Sequence, residues 1–200
     1  MQRFGYVKVE ATSFTVSEPF EPLKVSPLLF SEATPGQKQI LIDRYEVNEF
    51  TINTIKLERI FADKILAAEF YYERNLLFDV SKHLFDLTIM MGIDRIQMLL
   101  TQPEMLVDML SYKRKEEVCR IGSDLAKKPF SEFTLFENLA VDTTLDEAFT
   151  KMQRIYVFNE HDIISSAIMK SRMNELNKLL LKLDEGLDQQ SEEVCQQQML

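Results

Sequence analysis

The sequence predicts an α+β protein in which a small, partial β-sheet is followed by a mainly α-helical bundle lobe. Residues 4–14 alternate between apolar and polar side chains, which is the period of a strand with one buried face. From residue 54 onward, apolar side chains recur three and four positions apart, which is the period of amphipathic helices. With 46% hydrophobic and 28% charged residues, the 200-residue chain has the composition of a globular protein with its own core.

The β-rich part begins with the predicted strand at 4–14, and Glu10 projects from the polar face of this strand. Prolines at positions 19, 22 and 27 then predict an extended connection, and the Pro-Gly pair at 35–36 predicts a turn. Residues 45–52 mix β-forming and polar side chains. We therefore expect short strands there, at the edge of a sheet.

Residues 54–73 predict one amphipathic helix. Its apolar stripe comprises Leu57, Ile60, Phe61, Ile65, Ala68 and Tyr72. Lys64 lies almost two full turns after Leu57 and therefore points to the same side of the helix. A buried ammonium is costly unless it is paired or faces a cavity, so Lys64 indicates an anionic partner. The alternative is that its four-carbon stem packs along the core while its charged head reaches water.

Residues 80–91 predict a second helix, with Ser81 as its N-cap and Gly92 after its C-terminus. Asp86 follows His83 by three positions and Lys82 by four, so the three side chains can meet on one flank. They are either a local salt-bridge set of the kind that many helix surfaces carry, or part of a functional site. Spacing within this helix does not decide between the two.

The remainder of the chain predicts a series of helices. Their expected ranges are 93–100, 103–121, 131–139, 144–158 and 160–184. Residues at positions 142–144 can cap the fourth of these helices. The apolar stripe of the last one is typical of a bundle core or, alternatively, of a ridge that binds a partner. Residues 185–200 are rich in glutamine and acidic side chains, which predicts a flexible tail.

Composition excludes several classes of protein. Two cysteines and two histidines argue against a disulfide scaffold and against an imidazole- or thiolate-based metal site. A net charge of -9 argues against broad nucleic-acid binding, although Lys56, Arg59, Lys64 and Lys82 can form a local basic groove. No predicted helix has the clustered basic residues of a recognition helix, which argues against a DNA-binding protein. We see no secretory leader and no membrane-spanning run, and we expect a cytoplasmic protein.

Two segments carry a resemblance to a known family. Residues 58–67 read Glu-Arg-Ile-Phe-Ala-Asp-Lys-Ile-Leu-Ala, and residues 82–87 read Lys-His-Leu-Phe-Asp-Leu. Both resemble, without a gap, two successive motifs of the AbiEii/AbiGii toxin family of nucleotidyltransferases, which belongs to the polymerase-beta-like superfamily. The resemblance covers roughly residues 3–183. On this basis we expect a residual nucleotidyltransferase core at 1–53, a helical lobe at 54–184 and the tail at 185–200.

The resemblance also implies a chemistry. It identifies Lys64 and Asp86 as the catalytic pair, with Lys64 contacting a nucleotide phosphate and Asp86 orienting Lys64 or the acceptor hydroxyl. Lys82, His83 and Arg59 are then further nucleotide-binding groups. The implied cofactors are Mg²⁺ and an NTP, and the implied acceptor is RNA such as tRNA. Family members act as toxins in toxin-antitoxin or abortive-infection phage-defence systems, which implies an antitoxin protein.

Two further motifs of the family are absent from this sequence. Family members have a Gly-Gly-Ser or Gly-Gly-Thr turn that holds phosphates and an Asp-x-Asp pair that binds the metal. No two of the five glycines are adjacent here, and no Asp-x-Asp occurs. We therefore expect a fragment or natural truncation that is not active alone, with the missing motifs supplied by a second chain or by an upstream region outside these residues. The alternative is a non-catalytic remnant that acts as a helical protein-interaction module.

Two expectations about positions follow. In the superfamily a third acidic residue usually stands on a strand between hydrophobic neighbours, and Glu10 has this setting between Val9 and Ala11. Glu10 is therefore a candidate metal ligand, although many solvated strands have the same pattern. For the catalytic pair, we predict that the Lys64 amine and the Asp86 carboxylate lie within direct reach or within reach of one bridging water.

Overall fold

The computed structural model describes residues 19–118, 125 and 127–197, and within these it leaves the side chains of 115–118 and 185–197 undescribed. The strand predicted at 4–14, and with it Glu10, lies outside the described residues. The described chain forms two compact units that meet in sequence between Lys56 and Leu57. The first contains a two-stranded sheet and the second is helical, which confirms the predicted α+β class.

The first unit contains two strands and two helices. These are β1 (Phe20–Val25), α1 (Leu29–Glu32), α2 (Pro35–Tyr45) and β2 (Phe50–Ile55). The strands pair in antiparallel register, with Phe20 opposite Ile55 and Val25 opposite Phe50. The chain thus forms a strand where the prolines predicted only an extended connection, and β2 begins later than the predicted range of 45–52. Pro22 is compatible with β1 because this strand is at an edge of the sheet.

Helix α2 begins where a turn was predicted. Thr34 caps it, since the backbone N–H of Gln37 donates to the Thr34 hydroxyl and the backbone N–H of Thr34 donates to the Gln37 side chain. Pro35 occupies the first helical position, where its missing N–H costs nothing. This reciprocal cap, together with proline, starts a helix at a sequence that also fits a turn.

The second unit is a bundle around one central helix. Its α-helices are α3 (Leu57–Tyr72), α4 (Leu77–Met90), α5 (Asp94–Leu100), α6 (Pro103–Val118), α7 (Thr134–Asn138), α8 (Thr143–Tyr156) and α9 (Ser166–Gln197). Short 3₁₀ turns stand at Phe130–Glu132 and Glu160–Asp162. Helix α3 contacts α4, α5, α6 and α7, and its side chains at 61, 62, 65, 66 and 68 are fully buried. No described helix is long and apolar enough to cross a membrane.

Helices α3 and α4 form an antiparallel pair joined by a short turn. The turn includes Asn75, whose φ of 55° lies in the left-handed region that asparagine tolerates better than most residues. Helix α3 begins at Leu57 rather than at residue 54, because Thr54 belongs to β2. Helix α4 begins at Leu77, so the prediction of Ser81 as its N-cap was wrong. The Ser81 hydroxyl is inside the helix and donates to the Leu77 carbonyl at 2.8 Å.

Most of the later helices lie close to their predicted ranges. The range 131–139 divides into a 3₁₀ turn and α7, and residues 119–121 of the predicted 103–121 helix lie outside the described part. Asp142 caps α8, as predicted, by accepting from the backbone N–H of Leu145 at 3.0 Å. The same carboxylate accepts from the Tyr72 hydroxyl at 2.9 Å, which links the start of α8 to the end of α3.

Helix α9 supplies one side of the bundle core. Its inward face is lined by the buried side chains Met169, Met173, Leu176, Leu180 and Leu183. The helix contacts α4, α7 and α8, which agrees with the predicted bundle core rather than with a free ridge. It begins later than residue 160, and its backbone is helical to Gln197, beyond the predicted end at 184. Flexibility of residues 185–200 stays a prediction.

Glu69 is a carboxylate buried in the core, although no sequence pattern predicts it there. It accepts from the Lys128 ammonium at 2.6 Å and from the backbone N–H groups of Thr134 and Leu135 at 2.8 and 2.9 Å. Burial lowers the pKa of Lys128, but the hydrogen bonds to Glu69 and Glu73 outweigh burial and raise it overall. Glu69 therefore fixes the segment 128–135 against α3.

We expect Glu69→Ala to lower the free energy of unfolding by about 2–3 kcal/mol, because it leaves two backbone N–H groups without their acceptor and removes one of the two carboxylates that bind the Lys128 ammonium. Glu73→Ala is the matched control. Glu73 shares Lys128 at 2.8 Å but is more exposed, so its loss should cost less than about 1 kcal/mol. Urea unfolding followed by circular dichroism measures both, and equal losses would refute the structural role given to Glu69.

Candidate functional site

The candidate site is the α3–α4 seam, which we define as the surface formed by Lys64 and Tyr71 of α3 with His83 and Asp86 of α4. The Lys64 ammonium lies 2.6 Å from the Asp86 carboxylate. This direct contact confirms the distance predicted from the sequence. The two side chains are 27% and 41% exposed, so the ion pair is open to solvent.

The position of Lys64 combines the two alternatives that its sequence context allowed. The next residue, Ile65, and the preceding Phe61 are fully buried, whereas Lys64 stands at the edge of this buried surface. Its head reaches water and is also paired with a carboxylate. Because the helices run antiparallel, residue 64 of α3 lies opposite residue 86 of α4, while residue 71, two turns later, lies opposite residue 83.

His83 lies beside the ion pair as a neutral imidazole. Its ring stacks on the Tyr71 ring with centroids 5.2 Å apart and planes 18° from parallel. Burial and, to a smaller extent, the Lys64 charge lower the pKa of His83 to about 4, although the Asp86 charge opposes this shift. The Nδ1 atom is buried and has no hydrogen-bond partner in the described structure. The imidazole therefore carries no charge at neutral pH.

Lys82 does not join Asp86, so the expectation that Lys82, His83 and Asp86 meet on one flank was wrong for Lys82. Its ammonium binds the Asp79 carboxylate at 2.8 Å and lies 5.0 and 5.4 Å above the rings of Phe78 and Tyr156. The hydrogen bond to Asp79 raises the pKa of Lys82. Asp79 stands three positions before Lys82, and the two rings favour this direction for the cation.

Arg59 occupies a different environment from the one that a nucleotide-binding role requires. Its side chain is fully buried and contacts the Asp63 carboxylate one turn later on α3. A guanidinium in this conformation cannot reach a ligand in solvent. Direct contact of Arg59 with a nucleotide is therefore inconsistent with the structure. A buried charge needs a partner of opposite charge, and Asp63 is that partner for Arg59.

The seam has groups suited to phosphate but not to a metal. A lysine ammonium has three N–H donors, so Lys64 can bind Asp86 and still donate to a phosphate oxygen. Among the described residues, no group of three or more histidine, cysteine, aspartate and glutamate side chains is placed to hold a metal ion. Glu10 lies outside the described part of the chain. Lys64 is thus the group at the seam that suits a phosphate oxygen, and the described residues there include no set of three ligands for a metal ion.

Two residues that orient side chains of the site were not identified from the sequence. Tyr71 supports the His83 ring, and Asp79 turns Lys82 away from Asp86. Both stand at informative spacings, since Tyr71 is seven positions after Lys64 and Asp79 is three before Lys82. These spacings place each residue on the same helix face as its neighbour, and they become diagnostic once α3 and α4 are known to be antiparallel.

An α+β chain whose helical lobe presents a lysine-aspartate pair to solvent fits the nucleotidyltransferase class, in which positive charge must meet a triphosphate. Comparison with protein families gives a more particular result. The family model described as "Nucleotidyl transferase AbiEii toxin, Type IV TA system" matches residues 2–174. The chain therefore belongs to the AbiEii nucleotidyltransferase toxin family. No curated protein and no solved structure matches it.

Stability should depend on pH through His83. Its pKa of about 4 in the folded protein is below the ordinary value of 6.5, so the unfolded chain binds the proton more tightly between these values. We expect the free energy of unfolding to fall by about 1–2 kcal/mol from this group between roughly pH 7 and pH 5. Urea unfolding at both pH values measures the change.

His83→Gln should remove this part of the pH dependence, because glutamine does not titrate. His161→Gln is the matched control, since it makes the same chemical change at an exposed residue on the 3₁₀ turn after α8. An unchanged slope in His83→Gln would show that the imidazole is not held neutral by its position.

Proposed function

We propose that this chain contributes the Lys64–Asp86 half of a nucleotidyl-transfer site that moves a nucleotide from an NTP to RNA such as tRNA. One observation carries the proposal: a lysine ammonium and an aspartate carboxylate are held 2.6 Å apart at the solvent-exposed α3–α4 seam. Membership of the AbiEii family supports the reaction type. The acceptor is inferred from the family resemblance of the two motifs.

The proposed division of work follows from charge. Lys64 supplies positive charge to a triphosphate oxygen, where it offsets the negative charge that nucleotidyl transfer must overcome. Asp86 holds the Lys64 ammonium in place and, when a phosphate engages the lysine, can accept a hydrogen bond from the acceptor hydroxyl. His83, neutral beside the pair, adds no charge that would compete with Lys64 for Asp86.

We propose that the metal-binding carboxylates and the glycine-rich phosphate turn come from a second polypeptide. The support is the absence of Asp-x-Asp and of adjacent glycines from the 200 residues. Mg²⁺ would supply electrostatic stabilisation of the triphosphate in the assembled site. On this proposal the assembly acts in the cytoplasm, where NTP and RNA are present, as a toxin of a phage-defence system, and an antitoxin protein counteracts it.

A second candidate function is a non-catalytic remnant of the family that acts as a helical protein-interaction module. The same missing motifs favour it, since a chain that has lost metal and phosphate binding retains only the helical lobe. The two candidates differ in what happens to an NTP, because only the first predicts incorporation of a nucleotide into RNA.

Incorporation of labelled nucleotide into RNA tests the proposal. The chain is purified alone and together with the products of neighbouring genes, and each sample receives labelled NTPs, Mg²⁺ and total tRNA. We expect incorporation only in the presence of a partner, and a loss of at least about 100-fold in Lys64→Ala, which removes the phosphate-contacting charge. Absence of incorporation with every partner would favour the remnant.

Lys170→Ala is the matched control. Lys170 forms a similar pair with Asp146, at 2.7 Å and with side chains 21% and 31% exposed, but it lies on α9 and α8 rather than at the seam. Its loss should cost a comparable amount of stability and leave incorporation unchanged. The exchange Lys64→Asp with Asp86→Lys adds a second control, because it retains an ion pair between the two helices and should still lack activity.

A further inference from the structure

The two strands of the first unit differ in the edge that each presents. The backbone N–H of Lys56 donates to the carbonyl of Pro19 at 3.0 Å, so these two residues form a hydrogen-bonded pair in the antiparallel register. Because such pairs alternate, Glu21, Leu23 and Val25 direct their backbone groups toward β2. The residues between them direct theirs outward.

The outward edge of β1 is blocked and that of β2 is not. On β1 the outward residues are Phe20, Pro22 and Lys24, and Pro22 has no N–H to donate. On β2 they are Thr51, Asn53 and Ile55, all with backbone donors. The whole of β2 contains no charge and no proline, and within the described residues no other strand pairs with it. Uncharged edges of this kind readily accept another strand.

We propose that β2 pairs, antiparallel and in register about Asn53, with β2 of a second copy of this chain. In this arrangement Asn53 lies opposite the partner's Asn53, and Thr51 lies opposite the partner's Ile55. All three outward residues of β2 then form hydrogen-bonded pairs. A register centred on a residue before or after Asn53 would leave fewer such pairs. The product is a four-stranded antiparallel sheet with the order β1-β2-β2-β1.

Three properties favour a second copy as the occupant. The blocked edge of β1 ends the assembly at two copies, since the described part of each chain, residues 19–118, 125 and 127–197, offers one open edge. An uncharged strand can lie against itself without opposing like charges, whereas a chain of net charge -9 repels its copy over most other surfaces. Asparagine is also self-complementary, because its amide carries both donors and an acceptor.

Pairing with a second copy would stabilise the sheet of the first unit. Phe30 is its one buried hydrophobic side chain within the described residues, whereas Leu23, Phe50 and Ile52 of the sheet are exposed. An isolated two-stranded sheet is marginally stable in water. Pairing adds a neighbour for each residue of β2 and places Ile52 beside the partner's Thr54.

Complementary charges at Asn53 test both the dimer and its register. Sedimentation velocity over a range of concentrations should show a reversible dimer for the wild-type chain. Asn53→Lys and Asn53→Glu should each weaken it by about fivefold or more, because each places like charges opposite one another at the two-fold axis. An equimolar mixture of the two variants should restore the dimer, because lysine then lies opposite glutamate.

Gln39→Lys and Gln39→Glu are the matched controls, since they make the same charge changes on exposed α2 of the same unit and should leave the dimer unchanged. Circular dichroism confirms that every variant is folded. A wild-type chain that stays monomeric up to its solubility limit overturns the proposal. So does a dimer insensitive to both Asn53 variants, a loss also seen with Gln39 variants, or a mixture that fails to restore association.

Discussion

The packing of α3 against α4 is the constraint on which the rest of the helical unit depends. Helix α3 is covered by α4, α5, α6 and α7, so its buried surface is far wider than a single amphipathic stripe. Lys64 is one of the partly exposed side chains that remain on α3, and its ammonium meets Asp86 of α4. The candidate site thus depends on the packing of these two helices.

Charged side chains on α3 perform two different tasks. Glu69 and Arg59 are fully buried and are paired within the unit. Loss of either partner would leave a buried charge whose desolvation is no longer compensated, which is strongly destabilising. The Lys64–Asp86 pair is open to water, so it contributes little to stability. On the proposed function, stability and chemistry rest on separate residues of one helix, and Lys64 can exchange its partner for a ligand.

The sequence predicted those features that depend on local periodicity and capping. The fold class, the helical series and a cap at positions 142–144 follow from spacing along the chain, whereas the Lys64–Asp86 contact was expected from the family resemblance. It failed where distant parts of the chain decide the outcome. Burial of Glu69 requires Lys128 and the start of α7, which no single helix shows. Lys82 binds Asp79 of its own helix, and the ring of Tyr156 of α8 adds a contact that α4 alone does not predict.

The turn between α3 and α4 has a consequence for how this lobe can vary. Asn75, with its left-handed backbone, joins two helices whose facing residues are set by counting from the turn. One residue added inside α4 before Asp86 would rotate Asp86 by about 100° about the helix axis and carry it away from Lys64. The turn itself is constrained at Asn75, because most other side chains disfavour its left-handed backbone.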